Sequence, residues 1–210
     1  AETVFVAYPD LADGKKQYAE FKAAIAAHGR DPDLCTVNTI AYPVVAETRM
    51  EAEDKMALID KLYREVDGLS LLSEALNYDF KRKGLDEPFT SEELDGMSGM
   101  QAMRNRVMQV IGRNPTPRDF IEVTRRGRPR EAIVGSGKDV ADHLEKWFVE
   151  RACDGYVVGG THTPGTFEDF VKYAIPELQK RGLYWKDYRG ATLRENLGLP
   201  KMTRKEWGLA

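Results

Sequence analysis

The hydrophobic positions of this chain fall into two alternating patterns. Short apolar runs predict buried strands, and apolar residues that recur every three or four positions predict helices that bury one face. The predicted strands cover residues 3–7, residues 35–45 and two short runs within residues 133–160. The predicted helices cover residues 11–27, 48–66, 97–111 and 117–124, with two more within residues 133–183. Strands followed by helices predict a parallel sheet with helices packed outside it.

Local signals support several of these boundaries. Asp10 is a suitable N-cap for the first helix, and Gly29 is a suitable left-handed C-cap. Thr48 and Glu51 have the spacing of a capping box at the start of the second helix. Pro43 has no backbone N–H, so the second strand is expected to stop or bulge there.

The middle of the chain departs from the strand–helix alternation. Helical spacing predicts that Met50 and Leu62 face inward, but the type of residues 69–76 is open and residues 77–96 have no sustained period. We expect residues 69–130 to be a mostly helical insertion and residues 184–210 a C-terminal tail, all within one domain of residues 1–210.

The number of strand–helix units narrows the fold class. Three units cannot close a barrel, which needs about eight strands. An open sheet is possible, but no glycine-rich first turn of a nucleotide-binding half is present. The predicted class is therefore α/β, as the C-terminal part of a (β/α)8 TIM barrel with a mostly helical insertion.

Composition excludes several classes of function. The 210 residues include 31 basic and 34 acidic side chains, a net charge of -3, so no basic excess predicts nucleic-acid binding. No apolar run approaches the ~20 residues of a membrane-spanning helix. The start has no signal-peptide pattern, and two cysteines fit free thiols in a reducing compartment, so a cytoplasmic location is expected. Because the chain opens almost directly on a strand, we expect it to be cut from something longer.

Several stretches carry a resemblance to a known family. They include AETVFVA at residues 1–7, GLSLLS at 68–73, IVGSGKDVADHLEKWF at 133–148, IPELQKRGLY at 175–184 and TLRENLGL at 192–199, the last two being the most specific. In this order they resemble the flavin-dependent monooxygenases of the bacterial-luciferase-like superfamily. The branch is that of nitrilotriacetate, EDTA, dibenzothiophene sulfone and long-chain alkane monooxygenases. Members are about twice this length, so the resemblance implies a C-terminal half.

The resemblance implies a two-component oxygenation. A separate flavin reductase would supply reduced FMN, and with O2 one oxygen atom would enter a small organic substrate such as a xenobiotic amine, sulfone or alkane. A homo-oligomer is also implied. The main FMN site, including its phosphate loop, is expected upstream of Ala1. Two alternatives stay open: a non-catalytic short relative that binds flavin or a partner chain, and an F420-dependent oxidoreductase of the same superfamily.

Candidate cofactor and catalytic residues follow the last two predicted strands. Gly159 and Gly160 would let backbone approach a flavin ring, and His162 could donate a proton, although an exposed loop histidine is the simpler interpretation. Ser136 could contact phosphate, but it is more simply a helix N-cap. A Walker loop is excluded because Ala132 and Asp139 occupy two of its required positions.

Candidate substrate-binding residues lie in the insertion. Ser73 and Tyr78 lie in a region that the resemblance places near the substrate pocket. Gln101 lies in a segment expected to form a pocket lid, and a core or surface helix position is the simpler interpretation for it. Arg128 and Arg130, with Arg126, could hold carboxylates through their guanidinium groups, or could simply form a solvated basic loop. The three histidines are too scattered for a recognisable metal triad, so no metal site is predicted.

Overall fold

The strands of this protein were located in a computed structural model that describes residues 1–112, 114–124 and 132–202. Within those ranges the strands are β1 (Thr3–Val6), β2 (Thr36–Ala41), β3 (Pro43–Ala46), β4 (Ile133–Ser136) and β5 (Gly155–Val158). β2 and β3 are consecutive and separated only by Tyr42. The predicted interruption at Pro43 is therefore confirmed.

Ten α-helices lie in the same ranges. They are α1 (Leu11–Ala27), α2 (Arg49–Leu62), α3 (Glu65–Leu76), α4 (Ser91–Asp95), α5 (Gln101–Ile111), α6 (Pro117–Val123), α7 (Gly137–Val149), α8 (Thr166–Asp169), α9 (Ile175–Lys180) and α10 (Leu193–Asn196). One π-helical turn, Phe170–Ala174, joins α8 to α9. The predicted helix over residues 48–66 is divided at Tyr63, and the segment of open type, residues 69–76, is helical.

All observed strand pairs are parallel. β2 lies between β1 and β5, and β3 pairs with β4. The Gly159 N–H donates to Ala41 O, whereas the Ile133 N–H donates to Tyr42 O. Neighbouring carbonyls of an extended segment point to opposite edges, so β4 and β5 flank opposite edges of the segment formed by β2, Tyr42 and β3. β4 thus lies on the same edge as β1.

The predicted α/β class, with parallel strands and outer helices, is confirmed at this level. Among the described residues the strands form two open sheets, one of three strands and one of two, rather than a closed barrel. Parallel strands that are followed by helices are the arrangement from which (β/α) folds are built. Closure into a TIM barrel therefore stays a proposal.

Two apolar clusters support the strands from one side. One joins Ala41 and Val45 to α7 and the π turn, and the other packs Val37 against α1 and Trp147. The opposite face of the three-stranded sheet is open, since Phe5 is 56% and Val157 43% exposed. Parallel sheets are ordinarily covered on both faces, so this uncovered face is the incomplete side of the fold.

The insertion has a core of its own. Phe80, Phe89 and Phe120 are fully buried and meet edge to face, with ring centroids 5.4–5.5 Å apart. Leu72 and Leu76 of α3 complete the same cluster. This cluster explains why residues with no sustained period still fold, because aromatic side chains from loops and short helices fill one interior. No helix in the described ranges is long and apolar enough to cross a bilayer.

Candidate active site

The carboxyl ends of β3 and β4 bring a charged pair together. Arg49, in the first turn of α2, places Nη2 2.8 Å from Oδ1 of Asp139 in the first turn of α7. Oδ2 of Asp139 accepts hydrogen bonds from the Ser136 hydroxyl at 2.7 Å and from the Ser136 N–H at 2.9 Å. These bonds, together with Arg49, lower the pKa of Asp139 to about 2. The carboxylate is thus ionised at neutral pH.

A second charged pair lies on the other edge of β3. Lys55 of α2 contacts Oδ2 of Asp169 at 2.7 Å and also donates to Val45 O at 3.0 Å. The carbonyls of Val45 and Tyr42 point to opposite edges, because the two residues are three positions apart in an extended strand. Lys55 therefore supplies a donor on the edge of β3 that faces away from β4.

The loop after β5, residues 159–166, is called the histidine loop below. His162 is partly buried, and its Nδ1 lies 3.0 Å from the Thr161 hydroxyl and 3.1 Å from the Thr166 hydroxyl. Both threonines are buried. Thr161 also reaches back to Pro43 O at 3.1 Å, which ties the loop to the start of β3. The predicted position of His162 beyond a strand end is confirmed.

An open cavity of about 720 Å³ lies where the insertion meets the sheet. Its apolar wall includes Ile40 of β2, Val134 of β4 and Met103 of α5. Arg49 and Arg106 bring guanidinium groups to the rim. A wall that mixes apolar side chains with polar and charged groups, at this volume, suits a small organic ligand that carries polar groups of its own.

The predicted substrate residues of the insertion are engaged in its internal structure. Ser73 donates to Leu69 O at 2.7 Å and accepts from the Phe80 N–H. Gln101 donates to Met97 O at 2.7 Å. These contacts anchor helix ends, and neither side chain lines the cavity.

Tyr78 packs at the edge of the insertion's aromatic core. Its ring meets Phe80 and Phe89 edge to face, and its hydroxyl donates to Oε1 of Glu93 at 3.3 Å. Burial and the Glu93 carboxylate raise the pKa of Tyr78. Substrate contact by Ser73, Tyr78, Gln101, Arg128 and Arg130 stays a prediction. The two arginines lie outside the described residues.

Cofactor contact by Ser136, Gly159 and Gly160 stays a prediction. The Ser136 hydroxyl is committed to Asp139, whose negative charge would repel a phosphate there. Gly159 faces the ring of Tyr42, which fills the space a Cβ would need. Of Ser136, Gly159 and Gly160, only Gly160 is exposed. Among the described residues no group of three or more candidate side chains could hold a metal ion.

A partly buried polar cluster around Asp154 lies at the opposite, amino ends of the strands. Asp154 precedes β5 and accepts from the Tyr18 hydroxyl at 2.7 Å, from the Val37 N–H at 2.8 Å and from Lys22 at 2.8 Å. Burial opposes its ionisation, but these donors lower the pKa of Asp154 overall. This cluster joins α1, β2 and β5, so we assign it to stability. Polar contacts at the amino ends of such strands are characteristically structural.

An α/β fold with polar loops beyond the carboxyl ends of parallel strands defines the class of protein: a ligand-binding or enzymatic α/β domain. No protein-family model matches the chain. The chain is 35% identical over 203 residues to nitrilotriacetate monooxygenase component A of Aminobacter aminovorans, covering 96% of this chain and 45% of that protein. It is 30% identical over 203 residues to dibenzothiophene-sulfone monooxygenase of Rhodococcus erythropolis, covering 95% of this chain and 45% of that protein.

A solved structure is also similar to this chain over most of the chain's length. DmoA from Hyphomicrobium sulfonivorans superposes with a TM-score of 0.74 at 26% identity, covering 94% of this chain and 41% of that one. The chain thus spans about half the length of the relatives it matches. The resemblance to the flavin-dependent monooxygenases of the luciferase-like superfamily is confirmed, and the coverage fits the expected half.

Proposed function

We propose that this chain is the C-terminal part of the oxygenase component of a two-component monooxygenase that uses reduced FMN. The observation that carries the proposal is similarity over nearly the whole chain to about half of nitrilotriacetate monooxygenase component A. The similarity of fold to DmoA supports it. A separate flavin reductase is the proposed partner.

The reaction consumes one O2 per turnover. One oxygen atom enters the organic substrate, the other leaves as water, and reduced flavin, when bound, supplies the two electrons. The substrate class is a small amine, sulfone or alkane. The apolar wall of the cavity would orient the substrate and exclude water, and Arg49 and Arg106 would set the polarity of its rim.

The open sheet face supports a divided barrel. Phe5, Ile40 and Val157 point to the same side, because their strands pair in parallel register. On that side Phe5 and Val157 are exposed, while Ile40 lines the cavity. We propose that the other half of the barrel covers this face and carries the phosphate site for FMN. The commitment of the Ser136 hydroxyl to Asp139 supports this division.

A chimera tests the proposed function. In it, this chain replaces the matching half of nitrilotriacetate monooxygenase component A, and a flavin reductase, FMN, NADH and O2 are supplied. We expect substrate-dependent formation of oxygenated product from at least one amine, sulfone or alkane. A chimera that folds and binds FMN but yields no product across all three classes would overturn the proposal.

The isolated chain provides the complementary measurement. Titration with FMN, followed by flavin fluorescence, is expected to give no tight binding because Ser136 is already committed to Asp139. Tight stoichiometric binding would contradict the proposed division of the flavin site. It would favour a short flavin-binding relative instead.

A further inference from the structure

We infer that the histidine loop fixes His162 as the tautomer with a proton on Nδ1, which leaves Nε2 as a hydrogen-bond acceptor for a bound ligand. The proton count around two threonine hydroxyls carries this inference. Each hydroxyl has one proton to donate and two lone pairs that accept. The contacts of Thr166 and Thr161 determine where each proton lies.

The hydroxyl of Thr166 is fully used. It accepts from the Thr161 N–H at 3.1 Å and from the His162 N–H at 3.0 Å, which occupies both lone pairs. Its own proton points to His162 O at 2.7 Å, its shortest contact. Thr166 therefore has no proton left to give to Nδ1 of His162, although the two atoms are 3.1 Å apart. The Thr166 oxygen also has no free lone pair to accept from the Thr161 hydroxyl, which lies 3.1 Å away.

The proton of the Thr161 hydroxyl has a different destination. Pro43 O lies 3.1 Å away, and a carbonyl can only accept. The carbonyls of Tyr42 and Pro43 point to opposite edges, and Tyr42 O already accepts from β4. Pro43 is buried, so leaving its carbonyl unsatisfied would cost about 1–3 kcal/mol. The Thr161 proton therefore goes to Pro43 O.

The imidazole must then supply the remaining proton. Nδ1 of His162 lies 3.0 Å from the Thr161 oxygen, which has lone pairs but no further proton. The hydrogen bond forms only if Nδ1 is the donor, and a hydrogen bond at one ring nitrogen sets the role of the other. In the neutral ring, Nε2 consequently carries a lone pair.

Nε2 lies beside Gly165. A Cβ added at Gly165 would stand 3.0 Å from Nε2 and 3.7 Å from Oδ2 of Asp169, the partner of Lys55. Gly165 has φ +114°, a conformation that favours glycine. A side chain at Gly165 would therefore crowd Nε2, on the side of the loop where the Lys55–Asp169 ion pair lies.

This arrangement assigns a hydrogen-bond preference to the histidine loop, whose residues His162 and Thr161 are not in the lining of the cavity beside Arg49. That a substrate reaches this loop rests on the proposed function. A neutral His162 accepts a hydrogen bond or a proton from a ligand O–H or N–H group. It does not donate from Nε2 to an anion unless the ring is first protonated. Thr161 is then a positioning residue, acting through His162.

Nitrogen NMR of the 210-residue chain tests the tautomer without any flavin. Histidine labelled with ¹⁵N is observed about 1.5 pH units above the ordinary histidine pKa of about 6.5. The His162→Gln variant identifies the signals of His162 among the three histidines. We expect a protonated Nδ1 and an unprotonated Nε2. A protonated Nε2 in the neutral ring would overturn the inference.

Two substitutions of Thr161 test the cause. Thr161→Val removes the acceptor for Nδ1–H and is expected to release the tautomer, whereas Thr161→Ser retains the hydroxyl and is expected to preserve it. An unchanged tautomer in Thr161→Val would refute the role of Thr161. If Thr161→Val does not fold, the wild-type and Thr161→Ser spectra still decide the tautomer. If the NMR spectra show the other tautomer, the proposed flavin-dependent function is unaffected. If the chimera forms no product, the inferred tautomer is unaffected.

Discussion

Arg49 and Asp139 form an ion pair across the carboxyl ends of β3 and β4, with 2.8 Å between Nη2 and Oδ1. Both residues lie in the first turns of helices that follow neighbouring parallel strands. The other oxygen of Asp139 closes the capping box with Ser136. One carboxylate therefore fixes the start of α7 and the position of α2 at once.

Replacing Asp139 with Asn is expected to destabilise the fold by about 0.5–2 kcal/mol at neutral pH, the range for a lost helix cap. The pKa of Asp139 falls from 3.8 to about 2 on folding. A lowered folded-state pKa gives stability that is fully present above the unfolded pKa and lost as pH falls through the folded one. The difference between wild type and Asp139→Asn should therefore shrink as pH falls from about 4 to about 2.

Urea unfolding at several pH values measures this difference. Asp95→Asn is the control, because Asp95 is exposed and its contact with Arg104 is 4.0 Å long. Its stability difference should be small at every pH. A difference for Asp139→Asn that does not depend on pH would contradict the role of the ionised carboxylate.

Removing the Tyr18 hydroxyl tests the partly buried polar cluster at the amino ends of the strands. Burial and the Asp154 carboxylate raise the pKa of Tyr18, so it remains a donor at neutral pH. Tyr18→Phe is expected to lose about 1.5–3 kcal/mol, because it deletes a hydrogen bond to a charged group. Thermal unfolding measures the loss, with Tyr184→Phe in the exposed tail as control. Equal stability of both variants would exclude an energetic role for this bond.

Local features of the fold were predictable from the sequence. Asp10, Thr48 and Ser136 cap helices as expected, because a cap depends on residues within one turn. The free, buried state of Cys35 and Cys153 was also predicted correctly. Both kinds of feature depend on residue type and near neighbours.

Of the five side chains predicted to face inward from the second helix, Met56, Ile59 and Tyr63 are partly buried and two are exposed. Met50 and Leu62 were expected to face inward, but they are 70% and 69% exposed. Periodicity shows that a helix has an apolar face, but what covers that face depends on the layers around it. An open sheet side on the same chain shows that these layers are incomplete among the described residues.

The polar contacts of the candidate site could not be derived from the sequence. Lys55 and Asp169 are 114 positions apart, and Thr161 reaches Pro43 across 118. Such pairs depend on which strand edge each loop reaches, and strand order is not encoded in a local pattern. Thr161 directly precedes His162, and Thr166 follows it by four positions. These nearby hydroxyl side chains were the one local sequence signal that could have identified the hydrogen-bond partners of His162.

The insertion should depend on its aromatic cluster. Phe120→Ala removes a ring that meets Phe80 and Phe89 edge to face in a fully buried interior. The expected loss is about 3–5 kcal/mol. Hydrogen exchange should show the loss first in α3 and α6, which share this core. Phe148→Ala, at an exposed position of α7, is the control. Comparable losses from both variants would mean that the cluster does not stabilise the insertion independently.

The close approach of α7 to the π turn gives the last prediction. Gly137 begins α7, and an added Cβ would overlap the carbonyl of Tyr173, which is backbone and cannot move aside as a side-chain end can. Alanine ordinarily favours a helix over glycine by about 1 kcal/mol, so helix propensity alone predicts stabilisation. We expect Gly137→Ala instead to lower the melting temperature, because overpacking costs about 1–3 kcal/mol. At Gly84 the nearest atom to an added Cβ is 3.5 Å away, so Gly84→Ala should change stability little. A Gly137→Ala variant at least as stable as wild type would show that α7 can shift away from the π turn. In that case the packing of α7 against this turn would not determine the position of Ser136 and its neighbours.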